Sequence, residues 1–373
     1  MMYDFLIVGA GYSGCVIAER IANELDKKVL LIDKRKHIAG NAYDELDENG
    51  ILVHRYGPHL FHTKMKKVWD YLSQFTEWRH YEHRVFSVVN GKKVPVPFNF
   101  NSIEICFDKP IAEKLIATLL AKYEVETKIP ILKLLETSDK DLKTLADFIY
   151  ENIFLGYNLK QWGLRPEELD RTVSGRVPVF LSRDNRYFQD PYQAVPKFGY
   201  TKMFEKMINN DKIEILLNTE YKSVLNDIKF NKIIFTGPID EFYDYKFGKL
   251  PYRSLEFEYK TLEMEYFQEF TQINYPNDFD YTRITEFKHI TGQEHKLTTI
   301  AYEYPKEYIY GLNDPYYPIP NTENHNLFDK YKLIAESEKN VYFTGRLANY
   351  KYYNMDETVG VALQLFNNII SKV

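Results

Sequence analysis

At 373 residues, 45% of them hydrophobic, the chain is too long for one compact core and too apolar for wholesale disorder, so two or three domains are expected. Its 48 basic and 53 acidic residues leave a net charge of -5, which excludes a generic nucleic-acid or anionic-membrane binder; any anionic ligand must be held by local arginines. Two cysteines, Cys15 and Cys106, cannot build a disulfide framework or a four-cysteine zinc site, and no apolar run approaches the ~20 residues that cross a bilayer. A soluble cytoplasmic protein is the expectation. Its aromatic share of 16%, with 31 Tyr and 25 Phe, suits a partly wet cleft for a sugar or a heterocyclic base.

The run Phe5-Leu6-Ile7-Val8 passes into Gly9-Ala10-Gly11-Tyr12-Ser13-Gly14, then into a helical segment from Cys15 to Ala22, then into Val29 to Ile32 closed by Asp33. This order predicts a βαβ unit that binds a dinucleotide. Gly9 makes the turn, Gly11 admits a pyrophosphate, Gly14 lets helix and strand pack closely, and Asp33 accepts from ribose hydroxyls. The helix N-terminus, with Tyr12 and Ser13, aims N–H groups and partial positive charge at the phosphates. The basic loop Lys34 to Tyr43, containing Gly40 and Asn41, belongs beside the phosphates or the ring system of that cofactor. Next, His54 to Thr63 sets three histidines around Gly57-Pro58. The spacing is not that of a zinc site, so no metal is expected and His59 and His62 are read as pocket residues; hydrogen-bonded loop histidines are the competing reading.

Arg84 to Val89, Asn90-Gly91 and Lys92 to Asn99 predict a hairpin whose second strand, with Pro95 and Pro97, lies at an edge or carries a bulge. Helical periodicity follows from about 111 to 157. Ile111, Leu115, Ile116, Leu119 and Leu120 form one apolar stripe, and Leu142, Leu145, Phe148 and Ile149 another. This helical insertion closes on Gly156 to Gly163, with Tyr157 and Trp162 as an exposed aromatic pair. The polar stretch 165–177, carrying Arg176, reads as a mobile lid that delivers a cation to an anionic ligand, or as a solvated linker. Ile213 to Leu217 and Lys232 to Thr236 resume the nucleotide-binding sheet. β-rich segments fill Arg253 to Tyr304, and Val341 to Phe343 leads through Thr344-Gly345-Arg346 to a last helix from near Asp356, a second candidate contact for a pyrophosphate.

The expected fold class is α/β: a Rossmann-like domain from 1–80, 202–242 and 318–373, an inserted helical domain at 103–178, and an antiparallel β-sheet substrate domain from 81–102, 179–201 and 243–317.

The chain resembles the bacterial UDP-galactopyranose mutases over nearly its whole length. The resemblance is carried by Val8 to Gly11, His37 to Tyr43, Tyr56 to Thr63, Gly156-Tyr157 with Lys160 to Gly163, Thr236 to Asp240, Tyr252 to Leu255, Tyr281 to Arg283, Pro315 to Pro318 and Gly345 to Tyr353. It implies reversible isomerisation of UDP-galactopyranose and UDP-galactofuranose on FAD, which must be reduced so that N5 can attack the anomeric carbon. It also implies a homodimer. By the same resemblance Arg176 and Arg283 hold the diphosphate, Tyr317 and Tyr352 hydrogen-bond it with Tyr187 nearby, and Tyr157 and Trp162 flank the uridine. His59 and His62 lie beside flavin and sugar, Gly345, Arg346, Asn354 and Met355 make the second FAD contact, and Asn354 also counts among the substrate contacts. The chain departs from the family pattern at Asp33 for Glu, Ala39 for Gly, Asn354 for Asp, and His83 for Asn at a nucleotide contact. A flavin-dependent oxidoreductase of the amine-oxidase group, or a binding protein that kept the fold, are the alternatives.

Overall fold

The computed structural model describes residues 2–170, 175–225, 227–368 and 370–372. Strand Met2–Val8 lies at the centre of a five-stranded parallel sheet between Val29–Ile32 and Lys229–Phe235, with Ile213–Leu216 and Val341–Phe343 at the edges. These strands are near-continuous apolar runs because both faces are covered. Phe5 and Ile7 pack beneath helices Tyr12–Leu25, Tyr200–Met207 and Met355–Asn368, while Leu6 and Val8 meet Tyr221, Val224 and Phe235 on the other face. Phe5 pairs with Lys232, and Ile233 with Val341, so the start, middle and end of the chain build one Rossmann-like sheet.

A seven-stranded sheet runs in the order Tyr317–Pro318, Tyr252–Leu262, Thr298–Glu307, Arg283–Glu286, Gln272–Asn274, Val85–Val89, Lys92–Val96. It is not wholly antiparallel, since Gln272–Asn274 runs parallel to Val85–Val89. The hairpin comes from early in the chain and its neighbour from much later, so no local turn fixes their relative direction. The hairpin itself forms as expected: Asn90 (φ 49) and Gly91 (φ 75) turn the chain, and the proline-bearing strand Lys92–Val96 takes the edge. The histidine segment is partly strand rather than loop, because Phe61–Thr63 joins Tyr192–Pro196 and Trp78–His80 in a third sheet.

Helices Phe100–Cys106, Lys109–Leu120, Ile131–Leu135 and Lys140–Ile149 cover the hairpin through a core that includes Val85, Val94 and Val96. The first apolar stripe is narrower than the sequence suggests: Ala112, Leu115 and Leu119 are buried, whereas Ile111 and Leu120 are 50% and 42% exposed. Positions 112, 115 and 119 share one line of a 3.6-residue repeat, and 111 and 120 flank it. The helical path then widens into a π-helical turn, Tyr150–Leu155, before Gly156–Trp162; such turns gather at functional sites. Among the described residues no helix is long and apolar enough to cross a membrane.

Candidate active site

The first βα turn and the start of the last helix face each other across a pocket at the carboxyl ends of the parallel strands, where open α/β sheets bind ligands. Gly9, Gly11, Tyr12, Ser13, Asp33, Lys34, Gly40, Asn41, Gly345, Arg346 and Met355 all line it. Gly14 does not, and lies behind the wall: a Cβ there would come within 1.9 Å of the Gly9 carbonyl oxygen, so its absence sets how closely helix and strand approach. Gly345 adopts φ +103, and a Cβ would meet the Ser13 hydroxyl at 2.8 Å, so both glycine turns need bare backbone to close the cradle.

Helix Tyr12–Leu25 begins at Gly11 without a side-chain cap, leaving first-turn N–H groups for an anion. Asp33 accepts from the Ala10 N–H at 2.8 Å and the Arg35 N–H at 2.9 Å, so it ties the glycine turn together in addition to facing the pocket. The Tyr12 hydroxyl is buried without a partner among the described residues. An uncapped helix start, a glycine cradle and an unmatched hydroxyl fit a dinucleotide cofactor.

The pocket meets a cleft of about 760 Å³ at His59, Arg346 and Met355. His62, His83, Arg176, Tyr187, Arg283, Tyr317, Tyr352 and Asn354 line this cleft. Asn354 therefore belongs to the cleft and not to the cofactor pocket. A third compartment, walled by Tyr157 and Trp162, shares Arg176, Tyr187, Arg283, Tyr317 and Tyr352 with it. Trp162 is buried, contrary to the exposed pair expected, because its ring packs 6.0 Å from Tyr317 and 5.7 Å from Tyr352.

Helix Gly156–Trp162 is fixed from behind. Lys160 donates to the Tyr275 carbonyl at 2.8 Å, and Arg253 donates to the carbonyls of Gln161 at 2.8 Å and Lys160 at 3.1 Å. The Arg176 guanidinium lies 4.2 Å from the Tyr352 ring centroid and donates to Asn354 Oδ1. Residues 171–174 of the expected lid lie outside the described residues; before them Pro166–Glu168 forms a short helical turn.

Burial alone would lower the Arg283 guanidinium, but the Glu303 carboxylate, 2.7 Å away, together with the Tyr157 and Tyr317 phenols, holds it above its ordinary value. Burial raises the phenols of Tyr157, Tyr187 and Tyr317, keeping them neutral donors. Burial likewise pushes His59 and His83 down to about 3, with Arg283 adding to the effect in both. His59 Nδ1 lies 2.8 Å from the Gly57 carbonyl, which assigns the proton to that nitrogen and leaves Nε2 as an acceptor.

Several residues in these walls or directly behind them have no clear mark in the sequence. Glu303 is one of two acids in the strand Thr298–Glu307, and only its register opposite Arg283 makes it a partner. Arg35 is one of several basic loop residues, yet it reaches Asp314 at 2.8 Å and covers the Tyr56 ring. Gln161 falls within the Lys160 to Gly163 motif without a task of its own, yet it carries a buried Oε1 without a partner among the described residues, in the wall of the third compartment.

Comparison with known proteins agrees with this geometry. A family profile described as UDP-galactopyranose mutase matches residues 152–352, and an NAD(P)-binding Rossmann-like domain profile matches residues 7–75. A Klebsiella pneumoniae protein described as a probable UDP-galactopyranose mutase is 38% identical, covering 99% of this chain and 95% of its own. A Mycoplasma genitalium UDP-galactopyranose mutase is 34% identical over 99% and 95% of the two chains, and an Escherichia coli dTDP-fucopyranose mutase 35% over 97% of each. The crystal structure of a reduced UDP-galactopyranose mutase shares the fold at a TM-score of 0.78 with 16% identity, covering 100% of this chain and 95% of that one; a putrescine oxidase structure aligns at 0.61. With more than a third of its residues identical to the Klebsiella protein along nearly the whole length of both chains, the protein belongs to the UDP-galactopyranose mutase family of isomerases.

Proposed function

We propose that the chain interconverts UDP-galactopyranose and UDP-galactofuranose with reduced FAD held in the first pocket. The observation that carries this is the junction of the three compartments. An aromatic slot for a base opens through Arg176, Arg283, Tyr187, Tyr317 and Tyr352 onto the cleft where a sugar would meet the cofactor pocket at His59.

When bound, reduced FAD supplies a nucleophilic N5 for the anomeric carbon. Gly9, Gly11, Ser13, Asp33, Lys34, Gly40, Asn41, Gly345, Arg346 and Met355 would hold it. The protein's own part is position and charge. Arg283, fixed by Glu303, and Arg176 stabilise the negative charge that builds on the departing nucleotide, and the neutral phenols of Tyr187 and Tyr317 donate to it. Tyr157 and Trp162 hold the uracil, and the unpartnered Gln161 Oε1 suits its N3–H donor. Thymine offers the same edge, which accommodates the dTDP-sugar named for the Escherichia coli relative as well. The reading extends to a cytoplasmic location, which two free cysteines support, to a homodimer on family grounds, and to the three-domain division given above.

Anaerobic incubation of oxidised and of reduced holoprotein with UDP-galactofuranose tests it, with dTDP-fucopyranose run in parallel. UDP-galactopyranose is expected from the reduced protein alone, with no net change in flavin oxidation state. Bleaching of the oxidised flavin by substrate, without isomer formation, would instead favour an amine-oxidase-like activity. Faster conversion of the dTDP-sugar would reassign the substrate.

A further inference from the structure

Pyranose-to-furanose exchange needs proton transfers at the sugar oxygens, a part not yet given to any of the side chains above. As the C1–O5 bond opens, its electron pair stays on O5 and a proton is taken up there; as C1–O4 closes through an O4 lone pair, the O4 proton is released. One proton enters and one leaves, so a single acid–base group beside the sugar can serve both steps. Among the cleft histidines, burial keeps His59 and His83 neutral, and the phenols of Tyr187 and Tyr317 are held protonated for the same reason. Arginines do not give up their protons.

His62 remains. Its ring stacks on Phe188 with centroids 3.5 Å apart and an interplanar angle of 13°, and Nδ1 lies 2.5 Å from Asp190 Oδ2. Nε2 has no hydrogen-bond partner among the described residues, and the side chain lines the cleft. We propose that His62 exchanges the sugar's protons through Nε2, with Asp190 as the positioning residue that fixes the Nδ1–H form. In the pyranose-to-furanose direction the imidazolium gives its Nε2 proton to O5, and the neutral ring then takes the O4 proton.

The fold holds this pair rigidly. His62 is opposite Gln193 in the small third sheet, Asp190 lies just before that strand, and Phe188 covers one face of the ring. Asp356 and Glu357, from the start of helix Met355–Asn368, and His83 are the other titratable groups around it. The proposal rests on the mutase reading of the cleft.

The test uses reduced holoenzyme carrying Asp190→Asn or His62→Ala. Asp190→Asn is expected to lower kcat about 10²-fold while KM, FAD content and UDP affinity stay within about twofold. In ¹⁵N NMR, which needs no turnover, the same variant should lose the Nδ1–H preference of His62. His62→Ala should lose about 10²–10⁴-fold and regain turnover on adding imidazole. The proposal is overturned if His62→Ala keeps on the order of a tenth of kcat, or fails to respond to imidazole while FAD and UDP bind normally. It is equally overturned if Asp190→Asn loses FAD and activity together, the mark of a purely structural tie. Failure of the unmodified protein to isomerise any nucleotide sugar would sink the mutase reading instead, and the NMR result would still report on the tautomer.

Discussion

Arg283 lies directly across the sheet from Glu303, and that register turns two ordinary strand residues into a fixed charge. The cation could be identified from the sequence because it follows Tyr281-Thr282; its partner could not, since a glutamate between two tyrosines reads as a solvent-facing position. Glu303 is instead buried, and one of its oxygens has no partner among the described residues. On the proposed reading of the cleft, a guanidinium held this way needs no reorganisation when the nucleotide departs. Arg283→Ala is therefore expected to cost about 10²–10³ in kcat, comparable to removing a preorganised oxyanion donor. Flavin absorbance of the purified variant should stay near that of the unmodified protein. Parallel loss of flavin and turnover would show that Arg283 supports the cofactor pocket.

Helix Gly156–Trp162 shows the same division at the scale of an element. Its aromatic residues mark it as part of the site, but the burial of Trp162 follows from the tyrosines opposite. Tyr252-Arg253-Ser254-Leu255 is recognisable as a motif without revealing its task. In the fold, Arg253 holds the two carbonyls at the end of this helix, and Gly163, at φ +69, closes it. Arg253→Ala removes those bonds and should weaken UDP binding about tenfold by titration calorimetry, in line with ~1.5–3 kcal/mol for hydrogen bonds to a charged group. Lysine should restore only part of the affinity, because one ammonium lacks the planar fork that spans both carbonyls. Unchanged UDP affinity in Arg253→Ala would remove the helix anchor from this account.

Across the whole molecule, buried histidines tie stability to pH. His54 and His83 are pushed by burial from 6.5 to about 4 and about 3. Between 6.5 and those values the unfolded chain binds protons that the folded chain refuses, so their contribution is complete above 6.5 and is lost as pH falls toward the folded values. The melting temperature should drop from pH 6.5 to 4, and His83→Asn should make that drop shallower; an identical slope in the variant would contradict the assignment.

The sequence by itself determined the dinucleotide turn, the hairpin at Asn90-Gly91 and the family to which the chain belongs, because glycine turns and contiguous motifs are local and have few physical solutions. Only the tertiary structure decided that Glu303 partners Arg283, that Asp190 meets His62, that Gln272–Asn274 runs parallel to the hairpin, and that Trp162 is buried. Each of these pairs residues distant in the chain through sheet register or helix packing, and neither leaves a periodic trace in the residues themselves.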